Sequence, residues 1–136
     1  GWMIDSLIKK LKKHEELDKK LFWLESVSDE YLEKIYASST CLIAASEGEG
    51  FGLPLIEAAQ HKLPIIARDI PVFREVAGEY AFYFDGSTPS ALASAIQDWL
   101  KLYQSNQYPK SDSMSWLTWQ ESTNRLLQSI FTRKNL

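Results

Sequence analysis

Apolar and polar positions along the chain follow two rhythms, one helical and one of short continuous runs. Residues 3–20 set Ile4, Leu7, Ile8 and Leu11 at helical spacing, with Lys9, Lys10, Lys12, Lys13, Lys19 and Lys20 filling the other face. Leu21-Phe-Trp-Leu24 is a short apolar run and predicts a strand. Ser28 offers an N-cap, Asp29 and Glu30 suit the first turn, and Tyr31, Leu32, Ile35 and Tyr36 form the buried stripe of a second helix. Cys41-Leu-Ile-Ala-Ala45 predicts a buried strand, and Pro54-Leu-Ile-Glu-Ala-Ala-Gln60 the start of a helix.

The same alternation continues. Leu63-Pro-Ile-Ile-Ala67 and Ala81-Phe-Tyr-Phe84 read as strands, with a short helix from Pro71 to Val76 between them and Gly78 as its stop. Thr88 caps and Pro89 opens a helix that sets Leu92, Ala95, Ile96, Trp99 and Tyr103 on one face. Residues 104–117 are polar and aperiodic, and read as a linker before a last helix at 118–133. That helix begins with the capping box Thr118-Trp-Gln-Glu121 and points Leu126, Leu127, Ile130 and Phe131 inward. Short apolar strands alternating with helices predict an α/β fold, a Rossmann-like parallel sheet flanked by helices.

Composition narrows the class. A chain of 136 residues with 45% hydrophobic and 24% charged positions suits one globular domain. A net charge of −3 gives no argument for nucleic acid and leaves room for local basic clusters. The single cysteine, Cys41, lies in a predicted buried strand and reads as a small core residue. No apolar run is long enough to span a bilayer. The lysine-rich first helix could touch anionic lipid, although a solvated face is the simpler reading. The chain opens at once inside a helical pattern, so a fragment of a larger protein is expected.

Chemistry concentrates in Ser46-Glu-Gly-Glu-Gly-Phe-Gly-Leu-Pro-Leu-Ile-Glu57, between a strand and a helix start. Gly48, Gly50 and Gly52 make the turn permissive, and the helix N-terminus beyond it suits an anion, most often phosphate. The turn ends in Gly52-Leu53-Pro54 and lacks the lysine and hydroxyl of a P-loop. Glu49 and Glu57 are poor phosphate partners but good acceptors for the hydroxyls of a diol. Phosphate between two carboxylates describes a sugar-diphosphate-ribose ligand. A bland alternative is two solvated acids near a helix start. Arg68 follows a strand and could reach a phosphate, but pairing with Asp69 or Glu75 is the plainer expectation. His14 and His61 read as surface residues, Trp99 and Trp119 as core or interface aromatics, and no Cys/His cluster suggests a metal.

Glu49-Gly-Phe-Gly-Leu-Pro-Leu-Ile-Glu57 resembles the E-x7-E signature of retaining, GT-B-fold glycosyltransferases of family 4. Ser28-Asp-Glu-Tyr-Leu32, Leu63-Pro-Ile-Ile-Ala67, Phe73-Arg-Glu-Val76 and Thr118-Trp-Gln-Glu121 fall where that family's other motifs fall. The wording is similar to bacterial mannosyltransferases of lipopolysaccharide O-antigen synthesis. The resemblance implies one half of a GT-B enzyme, with residues 1–136 as a single C-terminal, donor-binding domain. It implies that Glu49 is the catalytic-site carboxylate by the donor sugar. Gly50, Phe51, Gly52 and Leu53 line the donor sugar and diphosphate, and Glu57 binds the ribose hydroxyls. It implies no metal and no cofactor, with GDP-mannose or a UDP-sugar as substrate. The acceptor, a polysaccharide or lipid-linked chain, is met by an N-terminal domain absent here, so the fragment alone is expected to be inactive. The resemblance implies a cytoplasmic enzyme, with a peripheral place on the cytoplasmic face of the bacterial inner membrane, in a membrane-associated assembly, as the further alternative. Glu25 stands where the family has a glycine near the nucleobase, and His61-Lys62 replaces a small turn ending in glycine. Two further readings are a non-catalytic α/β nucleotide- or phosphate-binding module and a degenerate domain kept for assembly.

Overall fold

The computed structural model describes residues 5–132. Ile4 and the expected helix end at residue 133 lie outside the described residues. The chain divides into two compact units, residues 1–34 and 35–136.

In the first unit, helix α1 spans Asp5–Lys12 and is shorter than the expected 3–20. Leu11 has no apolar successor one turn on, because those positions hold His14 and Glu15. Instead Nδ1 of His14 accepts a hydrogen bond from Glu16 N–H, and the chain tightens into turns with Asp18 at φ 60°. The expected strand at 21–24 does not form. Leu21 makes one isolated bridge with Leu17, while Phe22 and Leu24 are exposed. Apolar character alone does not make a strand when no neighbouring strand pairs with it. Helix α2, Asp29–Ser38, begins in the first unit and ends in the second; it starts where the cap predicts, with Tyr31 N–H donating to Ser28 Oγ at 3.3 Å. Of its expected stripe, Leu32, Ile35 and Tyr36 are half-buried and Tyr31 is exposed.

The second unit holds the sheet. Strands β1 (Leu42–Ala44), β2 (Ile65–Arg68) and β3 (Phe82–Phe84) pair in the order β1-β2-β3, all parallel. Central β2 has Ile65, Ile66 and Ala67 fully buried, as a strand covered on both faces must. Pairing begins one residue before β2, where Pro64 C=O accepts from Leu42 N–H at 2.8 Å. Proline has no N–H to give, so it joins the ladder only as an acceptor.

Helix α3 (Leu53–Gln60) buries Leu55, Ala58 and Ala59, and α4 (Pro71–Ala77) buries Phe73 and Ala77. These form one core with Ala44, Ile65 and Ala67. A second core unites Ile66, Phe84, Ala95 and Trp99, the last two from α5 (Pro89–Gln104). The cap of α5 is as expected, with Ala91 N–H donating to Thr88 Oγ1 at 3.2 Å. On that helix Trp99 is buried and stacks on Tyr103. Cys41 is half-buried, and burial pushes its thiol above the ordinary value.

Polar composition hides two anchors in the stretch 104–117. Ser111 is buried and its hydroxyl donates to Leu63 C=O at 2.9 Å; Met114 is buried beside it. Helix α6, Trp119–Thr132, begins with the expected capping box. Glu121 N–H donates to Thr118 Oγ1, and Thr118 N–H donates back to Glu121 Oε2. Its apolar side is not turned inward, however. Leu126, Leu127, Ile130 and Phe131 are all exposed, and Trp119 is 83% exposed.

Candidate functional site

Because the three strands run parallel, their carboxyl ends share one edge of the sheet, the edge at which α/β folds bind ligands. The turn from Ala45 to Gly52 leaves the carboxyl end of β1 and enters α3. Its three glycines are not equivalent. Gly52 alone of them is left-handed, at φ 65° and ψ 30°, and serves as the N-cap of α3. An added Cβ at Gly48 or Gly50 would meet nothing within 4 Å. The turn therefore needs one glycine for its own geometry and carries two whose backbone is open on the side a Cβ would fill. No side chain caps α3, and Pro54 sits in its first turn. The positive end of the helix dipole is left available to an anion.

Each expected site residue has a definite place. Glu49, Gly50 and Phe51 lie exposed on the turn, with Phe51 78% exposed. Glu49 Oε1 accepts from Gly50 N–H at 3.1 Å, a local bond that folds the carboxylate back on the turn. Gly52 is buried and Leu53, the first residue of α3, is half-exposed. Glu57 differs from Glu49. It is half-buried on α3, and its Oε2 accepts a 2.8 Å hydrogen bond from the hydroxyl of Tyr36. The Tyr36 ring in turn lies flat against the His61 imidazole, with centroids 5.5 Å apart and planes 7° apart. Glu57 and His61 are one helical turn apart, so one face of α3 presents both to Tyr36.

Tyr36 enters the sequence reading only as a stripe residue. The signal was its polar tip, which an aliphatic residue at that position lacks and which a half-buried tyrosine directs to a partner.

Arg68 also takes a different role from the one expected. Its Nε and Nη2 donate to Ala45 C=O at 3.2 and 3.0 Å, and its Nη1 donates to Gly86 C=O. The guanidinium lies 5.1 Å from the Phe84 ring centroid. Arg68 thus ties the exit of β1 to the turn after β3. The expected partner, Asp69, pairs with Arg74 instead, through bonds of 2.7 and 2.5 Å. Successive residues leaving a strand point to opposite sides, which sends Arg68 across the strand ends and Asp69 toward α4. The Arg74 guanidinium holds the Asp69 carboxyl below its ordinary value and stacks 3.7 Å over the Tyr83 ring.

In the first unit, the Trp23 indole N–H donates to Glu25 Oε1, and Lys12 approaches that oxygen at 3.0 Å. Both lower the Glu25 carboxyl, the indole bond first. The left-handed backbone that favours glycine is at the next residue, Ser26, with φ 56°. Among the described residues no group of three or more His, Cys, Asp or Glu could hold a metal ion.

Residues 5–115 match the family described as glycosyl transferases group 1. The chain is 57% identical over 130 residues to the serotype-specific mannosyltransferase WbdA of Escherichia coli, which covers 96% of this chain and 16% of that protein. It is 39% identical over 83 residues to the O-antigen chain mannosyltransferase RfbU of Salmonella typhimurium, covering 61% of this chain and 24% of that protein. The chain therefore spans about a sixth to a quarter of the length of these relatives. Its fold matches sucrose-phosphate synthase from Thermosynechococcus elongatus with a TM-score of 0.71 and 21% identity, over 94% of this chain and 34% of that one. The α/β parallel sheet flanked by helices, expected from the strand and helix rhythm, is the fold observed.

Proposed function

The chain belongs to the group 1 glycosyl transferases, and we propose that it is the donor-binding part of a retaining mannosyltransferase. Its donor in this reading is GDP-mannose, and its product a longer bacterial O-antigen polysaccharide. The observation that carries the reading is the 57% identity to a mannosyltransferase across 96% of the chain. The geometry of residues 46–57 supports it independently. The diphosphate sits at the N-terminus of α3, where the dipole and the open backbone of Gly50 meet the charge that grows on the leaving nucleoside diphosphate. Phe51 and Leu53 flank the sugar, Glu49 stands by the reacting centre, and Glu57 accepts the ribose hydroxyls. The acceptor is a polysaccharide or lipid-linked chain, received by a part of the enzyme outside these residues.

No helix among the described residues is long and apolar enough to cross a membrane. In this reading the protein works on the cytoplasmic face of the inner membrane, where a lipid-linked acceptor is presented.

The test is calorimetry of the intact natural polypeptide with GDP-mannose, UDP-glucose and GDP, joined to a transfer assay. GDP-mannose binds more tightly than UDP-glucose, and Glu57→Ala weakens it on the order of 10- to 100-fold, the worth of charge-assisted hydrogen bonds. Glu49→Gln leaves binding nearly intact and slows transfer at least 100-fold. Absence of binding to every nucleotide sugar, together with unchanged transfer in Glu57→Ala, refutes the proposal. Binding without transfer favours a non-catalytic module.

A further inference from the structure

We propose that Tyr36 is a positioning residue that orients Glu57 for the ribose of the donor, and so sets how strongly the site prefers a ribose over a sugar lacking its diol. The inference rests on the donor-site reading of Glu57.

A glutamate on a helix turns about several bonds, and a free one must be ordered when ligand arrives. Glu57 is already held. The phenol of Tyr36 has one proton, and it goes to Oε2 at 2.8 Å. Among the described residues Oε1 accepts no hydrogen bond and Oε2 keeps one lone pair, so two ribose hydroxyls still find acceptors. Tyr36 therefore fixes the carboxylate without using it up.

The tyrosine is itself fixed. It lies in the last turn of α2, packed at the edge of the core formed by Leu55, Ala58 and Ile65. Its ring also stacks on His61, the C-cap residue of α3. Glu57 and the ring that clamps its partner thus ride on the same short helix, and their separation cannot drift. Phenylalanine at 36 would fill the same core edge and stack on the same imidazole. What tyrosine adds is the hydroxyl, and its hydrogen-bond partner is Glu57. Sites that hydrogen-bond a substrate hydroxyl discriminate against analogues lacking it, and rigid placement of the acceptor sharpens that difference.

The experiment compares dissociation constants of GDP and 2′,3′-dideoxy-GDP for the intact polypeptide, its Tyr36→Phe variant and its Glu57→Gln variant. The wild-type protein prefers GDP. Tyr36→Phe lowers that preference roughly 3- to 10-fold, the size of one ordinary hydrogen bond, and leaves the dideoxy affinity unchanged. An unchanged preference in Tyr36→Phe overturns the proposal, as does an equal loss for both ligands, which marks a purely structural tyrosine. If Glu57→Gln abolishes the preference while Tyr36→Phe keeps it, the donor-site reading stands and the role of Tyr36 falls. If Glu57→Gln also keeps it, the donor-site reading falls and takes this inference with it.

Discussion

Replacing Gly52 by alanine separates backbone strain from crowding at the entry to α3. The residue is left-handed at φ 65°. A Cβ there would lie 3.4 Å from Phe73 Cδ1 and 3.5 Å from Val76 Cγ2, which is contact without a clash. The cost is therefore one left-handed L-residue, about 1–2 kcal/mol. The stiffer unfolded chain returns about 0.4–1 kcal/mol of that. The net loss is about 1 kcal/mol, or a melting point lower by roughly 3–6 °C for a chain of this size.

The exit of the same helix supplies the mirror experiment. Lys62 has φ 55°, its N–H donates to Ala59 C=O at 2.9 Å, and Leu63 N–H donates to Ala58 C=O at 2.9 Å. That is a Schellman exit, in which glycine is usual at the position Lys62 occupies. Lys62→Gly relieves the strain and stabilises by about 0.5–1 kcal/mol after its own entropy cost. The two sites cap opposite ends of an eight-residue helix, about 12 Å long, so their effects add. Thermal and urea unfolding followed by circular dichroism measures all of this. Gly52→Ala melts lower, Lys62→Gly melts higher, the double variant returns near wild type, and Gly48→Ala, with open space and no left-handed backbone, does not move. A Gly52→Ala protein as stable as wild type, or a destabilised Lys62→Gly, refutes the reasoning.

Arg68→Ala removes the link between Ala45 and Gly86 and costs about 1–2 kcal/mol, read by urea unfolding; Arg68→Lys recovers little, because a single ammonium cannot span both carbonyls. Acid weakens the start of α6. Backbone and hydroxyl donors of Thr118 hold the Glu121 carboxyl below its ordinary value of 4.5. A folded value lower than the unfolded one gives stability that is complete above the ordinary value and lost as pH falls through the lower folded value. Helical circular dichroism therefore declines below about pH 4.5, and Glu121→Ala removes the part of that decline owed to the cap. The carboxyl of Asp69, lowered by Arg74, acts with the same sign.

What was legible in the sequence was local chemistry. Ser28, Thr88 and Thr118 cap the helices they announce, because a cap needs only the next three residues. The strands at 42–44, 65–68 and 82–84 were legible as apolar runs between helix signals. Periodicity tells which side of an element is apolar and not what covers it. The run at 21–24 is as apolar as a strand yet finds no ladder, and the apolar side of α6 stays exposed. The long-range polar bonds were equally out of reach. Tyr36 and Glu57 are 21 positions apart, and Arg68 reaches 23 positions back and 18 forward. No spacing rule predicts such pairs, since only the packed sheet brings them together.

In the donor-site reading proposed above, those same bonds suit the carboxyl edge of the sheet to a ligand whose charge changes during reaction. Donors and acceptors stabilise a transition state best when they need not reorganise to do so. Arg68 holds the exit of β1 against the turn after β3, Gly52 sets the entry angle of α3, and buried Leu55, Ala58 and Ala59 hold that helix to the core. Glu57 is the movable part that remains, and Tyr36 restrains it. Ordering one flexible side chain on binding costs about 0.5–1.5 kcal/mol. A carboxylate ordered beforehand spares that cost, a factor of roughly 2 to 12 in affinity. That range matches the loss of preference expected from Tyr36→Phe, so the binding comparison measures the preorganisation of this edge as well as the role of one hydroxyl.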